Sequence, residues 1–168
     1  NYWYPDLDDL EKRIKYNPAV AGILIINPDN PTGAVYTEEI LRGMVRLAQK
    51  YDLFVVCDEV YLNITYNGKT TLPLSDVIED VPAIAMRGVS KEMPWPGGRC
   101  GWIEVYNGHK DPLFEKYVQS ILNAKMLEVC STTLPQVILP ELLSHPEYGN
   151  YLSERITRYE KFSNIAYD

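Results

Sequence analysis

Four short stretches carry side chains able to do chemistry: Asn27-Pro28-Asp29-Asn30-Pro31-Thr32-Gly33, Asp58-Glu59-Val60-Tyr61, Ser90-Lys91, and Gly97-Gly98-Arg99-Cys100-Gly101-Trp102. Lys91 offers a primary amine, which acts as nucleophile or base once it is neutral. Asp58 offers a carboxylate for a cationic partner. Arg99 offers a guanidinium, whose planar fork suits an oxyanion better than an ammonium does. Asn30, Tyr61 and Ser90 add hydrogen-bonding groups. Taken singly, each stretch has an ordinary explanation. Asn-Pro and Thr-Gly make turns, an aspartate at a strand end caps a helix, Tyr61 can be a packed aromatic, and lysine or arginine is commonly a solvated charge.

The elements around these stretches give them a common address. Leu7, Leu10 and Ile14 recur at helical spacing behind Pro5-Asp6, predicting an amphipathic helix over residues 6–16 that Asn17-Pro18 ends. The run Val20 to Ile26 is almost continuously apolar and branched, which predicts a strand buried on both faces, as in parallel sheets. Thr37-Glu38-Glu39-Ile40 starts a second helix, whose apolar face runs through Ile40, Leu41, Met44, Val45, Leu47 and Ala48 to about Tyr51. A second buried strand follows over Leu53 to Cys57. Strand, helix, strand is a βαβ unit, so the fold class is α/β. Further strands are expected over Ala83 to Arg87 and Cys100 to Tyr106, with a weaker hairpin-like element over Leu62 to Tyr66. Beyond Asp111 the pattern is helical, with breaks expected at Pro135, Pro140 and Pro146 and a last helix from about Glu147. All four chemical stretches then fall at the carboxyl ends of strands, where open α/β sheets place their ligands.

In this order, N-P-D-N-P-T-G, D-E-V-Y, S-K and an arginine eight residues past the lysine, the motifs resemble the signature of class I/II aminotransferases of fold type I, which depend on pyridoxal 5'-phosphate (PLP). The resemblance spans most of residues 20–106. It implies the large domain of a fold type I PLP-transferase, a mostly parallel sheet flanked by helices in three αβα layers. Residues 1–146 would form that partial domain, and residues 147–168 the start of the helix linking it to a small domain. Lys91 would hold PLP as a Schiff base and move the substrate proton, in a desolvated site where Arg99 and the cationic cofactor lower its pKa. Asp58 would pair with the ring nitrogen, which must stay protonated for the ring to serve as electron sink. Arg99 and Ser90 would bind the phosphate, and Asn30 and Tyr61 the phenolic oxygen. Asn30-Pro31 is a candidate cis peptide. Family members often carry a serine three residues before the lysine; here Gly88 stands there, as in alanine-aminotransferase-like relatives.

The expected activity is transfer of an amino group from an L-amino acid to a 2-oxo acid. Two alternatives stay open: another fold type I PLP enzyme such as a C–S lyase, decarboxylase or synthase, or a non-catalytic aminotransferase-like sensor. The chain opens on Asn1 and ends within a helical stretch, so it reads as an interior fragment. The family's upstream phosphate loop and stacking aromatic, and its downstream carboxylate-binding arginine, are expected outside it. Weak PLP binding and negligible turnover are therefore expected of these residues alone, and a homodimer of the full-length protein.

Composition narrows the partners. A net charge of -7 lacks the basic footprint that nucleic acid or an anionic membrane requires. Cys57, Cys100 and Cys130 fall in no CxxC pattern, and His109 and His145 stand alone, so neither a disulfide framework nor a metal site is expected. A cytoplasmic location fits these cysteines. No apolar run approaches the roughly 20 residues that cross a bilayer.

Overall fold

The computed structural model describes residues 3–167. The first helix, α1 (Leu7–Lys15), begins where the Asp6 carboxylate accepts from the amides of Asp8 and Asp9 at 2.9 and 3.0 Å. This cap satisfies amides that the first turn leaves without partners. Strand β1 (Gly22–Ile26) leads to α2 (Glu38–Lys50), which Thr37 caps, and then to β2 (Phe54–Asp58). Strands β3 (Ala83–Gly88) and β4 (Gly101–Tyr106) complete a sheet of order β1-β2-β3-β4. The β1–β2 and β2–β3 pairs are parallel, and β3–β4 is antiparallel. The mostly parallel α/β sheet with flanking helices is the expected architecture.

Alternation along the strands decides which layer each side chain joins. Ile23, Ile25, Val55, Cys57, Ala83 and Ala85 form one core with Leu41, Met44, Val45 and Ala48 of α2 and with Ile14 of α1. Each large side chain buried there contributes about 1.5–3 kcal/mol over leaving it in water. On the other face Phe54 packs against Phe114 and Tyr117, at ring separations of 5.4 and 5.6 Å. Those rings come from α3 (Pro112–Lys125), which Asp111 caps. Gly22 is required beside Phe54, since a Cβ there would lie 2.8 Å from the ring.

Three expectations about elements need correction. Strand β1 is not buried on both faces: it lies at the sheet edge, and Leu24 is 66% exposed because the α3 rings reach only Phe54. Residues 62–66 form no hairpin strand: 62–63 lie in a turn and 64–66 are irregular, with the amides of Leu62 and Ile64 bonded back to the carbonyls of Glu59 and Tyr61. Helix α4 (Thr133–Ser144) runs through both Pro135 and Pro140. Pro135 lies in the first turn, where its missing N–H has no helical acceptor to lose, and Pro140 forfeits one interior bond that the helix tolerates. Pro146 does separate α4 from α5 (Tyr148–Tyr167). Among the described residues, no helix is long and apolar enough to cross a membrane.

Candidate active site

Strand register brings the chemical stretches to one edge of the sheet. Ile26 lies opposite Asp58, Asp58 opposite Met86, and Gly88 opposite Gly101. The residues just beyond these pairs, Asn27, Glu59 and Val89, continue the ladder through bonds to Asp58, Met86 and Cys100 carbonyls at 3.0, 2.9 and 3.2 Å. Lys91 therefore follows the end of β3, and Arg99 precedes β4, at opposite ends of a single connecting loop.

Lys91 is exposed, and its Nζ lies 5.5 Å from the centroid of the Tyr61 ring, within cation–π reach. Both residues line a cleft of about 410 Å³ together with Ser90. Tyr61 also borders a second cleft, of about 490 Å³, whose wall includes Asn30 and the turn from Pro28 to Gly33. Three of the other five expected residues thus share a cleft with Tyr61. Asp58 is half-buried at the end of β2, and its Oδ1 accepts from the Val60 amide at 3.1 Å. Arg99 is exposed, with left-handed backbone (φ 48°), and donates from Nη1 to the Pro96 carbonyl at 3.0 Å. Neither Asp58 nor Arg99 lines either cleft. The expected desolvation of Lys91 beside Arg99 is also not found: the lysine is open to solvent, and the guanidinium is turned to its own loop.

The turn that carries Asn30 is built on a residue whose role the sequence hid. Asn27 is 1% exposed; its Oδ1 accepts from the Tyr36 amide at 2.9 Å, and its Nδ2 donates to Thr71 Oγ1 at 2.7 Å. The Thr71 hydroxyl in turn donates to the Tyr36 carbonyl at 2.8 Å. Asn30-Pro31 is cis as expected, and Asn27-Pro28 is cis as well. At the far end of the Lys91 loop, Gly98 passes so close to Trp95 that a Cβ would lie 2.7 Å from the indole.

Charged residues beneath the site were also not foreseen. Glu59 is 2% exposed and accepts from the Leu74 amide, while Arg87 Nε lies 3.3 Å from Glu104 Oε1. Burial raises the Glu59 pKa above the ordinary carboxyl value, against the Leu74 amide and the Arg87 charge. Burial also pushes Glu104 upward, but bonds from the Tyr106 hydroxyl and Trp102 indole, with the Arg87 charge, hold it below the usual range. Burial and the neighbouring carboxylates of Glu59 and Asp58 push the Cys57 thiol far up, so it is a packing residue rather than a nucleophile. Sequence alone gave Glu59, Arg87 and Glu104 no buried role, because a charge beside a strand end reads as solvated until the partner strand is known.

Helix α5 supplies another unforeseen border: Arg155, Tyr159 and Phe162 line the Lys91 cleft. Arg155 donates to the carbonyls of Lys91 and Glu92. The Asn67 amide donates to Glu160 Oε1 at 2.9 Å, which anchors the helix further along.

The sequence pattern of the family described as aminotransferase class I and II matches residues 1–167. An uncharacterized aminotransferase of Methanocaldococcus jannaschii is 62% identical over 167 residues, covering 99% of this chain and 39% of that protein. The glutamate-pyruvate aminotransferase AlaA of Escherichia coli is 36% identical over 157 residues, covering 92% of this chain and 36% of that protein. In three dimensions the chain resembles the alanine aminotransferase of Pyrococcus furiosus with a TM-score of 0.86 and 30% identity, over 98% of this chain and 40% of that one. The chain thus spans about two fifths of the length of these relatives. A match along nearly the whole chain, with fold and motif order in agreement, makes it a member of the class I and II aminotransferase family.

Proposed function

We propose that the protein to which these residues belong transfers an amino group from an L-amino acid to a 2-oxo acid, using PLP attached to Lys91. The observation that carries this reading is the meeting of Lys91, Tyr61 and Ser90 in one cleft, with the amine 5.5 Å from the phenol ring. PLP, when bound, supplies a protonated pyridine ring that accepts the electron pair left by the departing α-proton.

The chain's own residues divide the remaining work. The Lys91 amine anchors the cofactor and carries the proton between substrate and cofactor carbons. Asp58, at the end of a strand whose neighbours hold it on both sides, presents a carboxylate for the ring nitrogen. Tyr61, which borders both clefts, and Asn30, which borders the second, would hydrogen-bond the phenolic oxygen. The Ser90 hydroxyl and Arg99 are assigned to the phosphate. The single bond from Arg99 to the Pro96 carbonyl leaves its other donors free for that task. Residues 1–146 serve as part of the large domain, and α5 opens the connection to the small one.

Relatives named alanine and glutamate-pyruvate aminotransferases direct the first assays to alanine, glutamate, pyruvate and 2-oxoglutarate. The family's usual homodimer and a cytoplasmic location complete the reading; the three free cysteines suit a reducing compartment. The test is borohydride reduction of the full-length protein with PLP, followed by peptide mass mapping and assay of amino transfer. Label on Lys91, transfer to an added 2-oxo acid, and loss of both in Lys91→Ala are expected. Label elsewhere, or release of ammonia, sulfide or carbon dioxide in place of transfer, overturns it.

A further inference from the structure

Resting on the reading of Lys91 above, we infer that Glu92 is a positioning residue, which sets where the Lys91 amine stands relative to Tyr61. The need for such a residue comes from the backbone. Val89 is tied to Cys100, and the Trp95 amide donates to the Val89 carbonyl at 3.0 Å. Between them, among the described residues, no amide from Ser90 to Met93 donates to a backbone carbonyl. The segment bearing the amine has no main-chain bonds of its own to hold it, so its position depends on side chains.

Glu92 is one of them. Its Oε1 accepts from the Asn63 amide at 3.0 Å, and its Oε2 accepts from Asn63 Nδ2 at 3.1 Å and from the Tyr148 hydroxyl at 3.2 Å. Arg155 of α5 holds the same segment through the Lys91 and Glu92 carbonyls. Asn63 stands two residues past Tyr61, in the turn that starts at Asp58. A carboxylate binding both donors of Asn63 therefore joins the Tyr61 turn to the Lys91 turn with a fixed geometry, and charge-assisted bonds of this kind are stronger than neutral ones. Tyr148 extends the link to α5. Nothing in the sequence joins residues 63, 92 and 148; only the fold makes Glu92 their shared acceptor.

The experiment uses the full-length protein in five forms: wild type, Glu92→Gln, Glu92→Ala, Asn63→Ala and the double Glu92→Ala/Asn63→Ala. Two quantities are read: the PLP dissociation constant, and the pH midpoint of the visible absorbance of Lys91-bound cofactor, which a merely structural role would not move. Displacing a reacting group by about 1 Å costs on the order of 100-fold in rate. Glu92→Ala is therefore expected to weaken PLP binding about tenfold or more, to shift the midpoint, and to lower kcat by about 100-fold. Glu92→Gln keeps one acceptor oxygen where the carboxylate has two, and is expected to fall between wild type and Glu92→Ala in each reading. Asn63→Ala loses the Nδ2 bond and keeps the backbone amide bond, so it is expected to move both readings in the same direction by less, and the double variant to go no further than Glu92→Ala, which already removes every bond to the carboxylate. Asn63 is exposed, so this variant tests the link even where Glu92→Ala folds poorly. Unchanged binding and midpoint in Asn63→Ala, or additive effects in the double variant, overturn the positioning role. A wild type with no absorbance borne on Lys91 overturns the reading beneath it instead, and the role with it.

Discussion

Glu59 and Arg87 face each other across β2 and β3, Oε2 to Nη2 2.9 Å apart, with the glutamate side chain 2% exposed and the arginine 24%. The contact is close enough for strong attraction yet is not aligned as a hydrogen bond, since Oε2 has no hydrogen-bonding partner among the described residues. Glu59 directly follows Asp58 and Arg87 lies four residues before Lys91, so the pair couples the strands that aim both groups.

Removing one partner leaves the other charge stranded. Arg87→Met is expected to destabilise the protein by about 3 kcal/mol, at the low end for broken buried pairs because Arg87 keeps some contact with solvent. Glu59→Gln added to it should recover most of the loss, since glutamine still accepts from the Leu74 amide and carries no charge. Denaturant unfolding of the three forms measures this; a double variant as unstable as Arg87→Met would show that the charge is not the cause.

The raised pKa of Glu59 gives stability a pH slope of definite sign. From the ordinary value of 4.5 up to the raised native value, the native protein holds more proton than the unfolded chain, so stability falls as pH rises. Glu59→Gln lacks that proton. The variant's stability relative to wild type should therefore climb with pH through this window and level off above it. A difference that is flat across the window would contradict the shift.

Among the described residues four tyrosines, Tyr36, Tyr51, Tyr106 and Tyr148, are raised above the ordinary value, and the last two should titrate latest. Burial, with Glu92 close by, raises Tyr148 to about 12, and burial with the Glu104 carboxylate raises Tyr106 to about 12. Their contribution to stability is complete below the ordinary value of 10.0 and is lost as pH rises through about 12. Ultraviolet titration of phenolate should show a late component that shrinks by one tyrosine in Tyr148→Phe. An unchanged late component would mean that Tyr148 ionises normally.

Asn27→Ala should loosen the turn that holds Asn30. The Tyr36 amide would lose its acceptor and Thr71 a donor, a loss of about 1–3 kcal/mol for a buried group left unpaired. Hydrogen exchange at the Tyr36 amide should accelerate in proportion. Exchange that stays at the wild-type rate would show that another group takes the place of Asn27.

Periodicity and motif order, as local properties, were readable from the chain itself. Apolar spacing located α1, α2 and the strands, capping by Asp6, Thr37 and Asp111 follows from residue type at helix starts, and the ordered motifs pointed to Lys91, Tyr61, Ser90 and Asn30, which the fold gathers around two adjoining clefts. Tertiary structure alone decided the rest. The exposure of Leu24 depends on which face a helix covers, and the continuity of α4 through Pro140 on how much one missing bond matters in a helix. The pairing of Glu59 with Arg87, the grip of Asn63 and Tyr148 on Glu92, and the approach of Arg155 to Lys91 join residues far apart in the chain. A charged side chain carries no mark in the sequence of whether it will meet water or a buried partner, because that choice is made by strand register and helix placement.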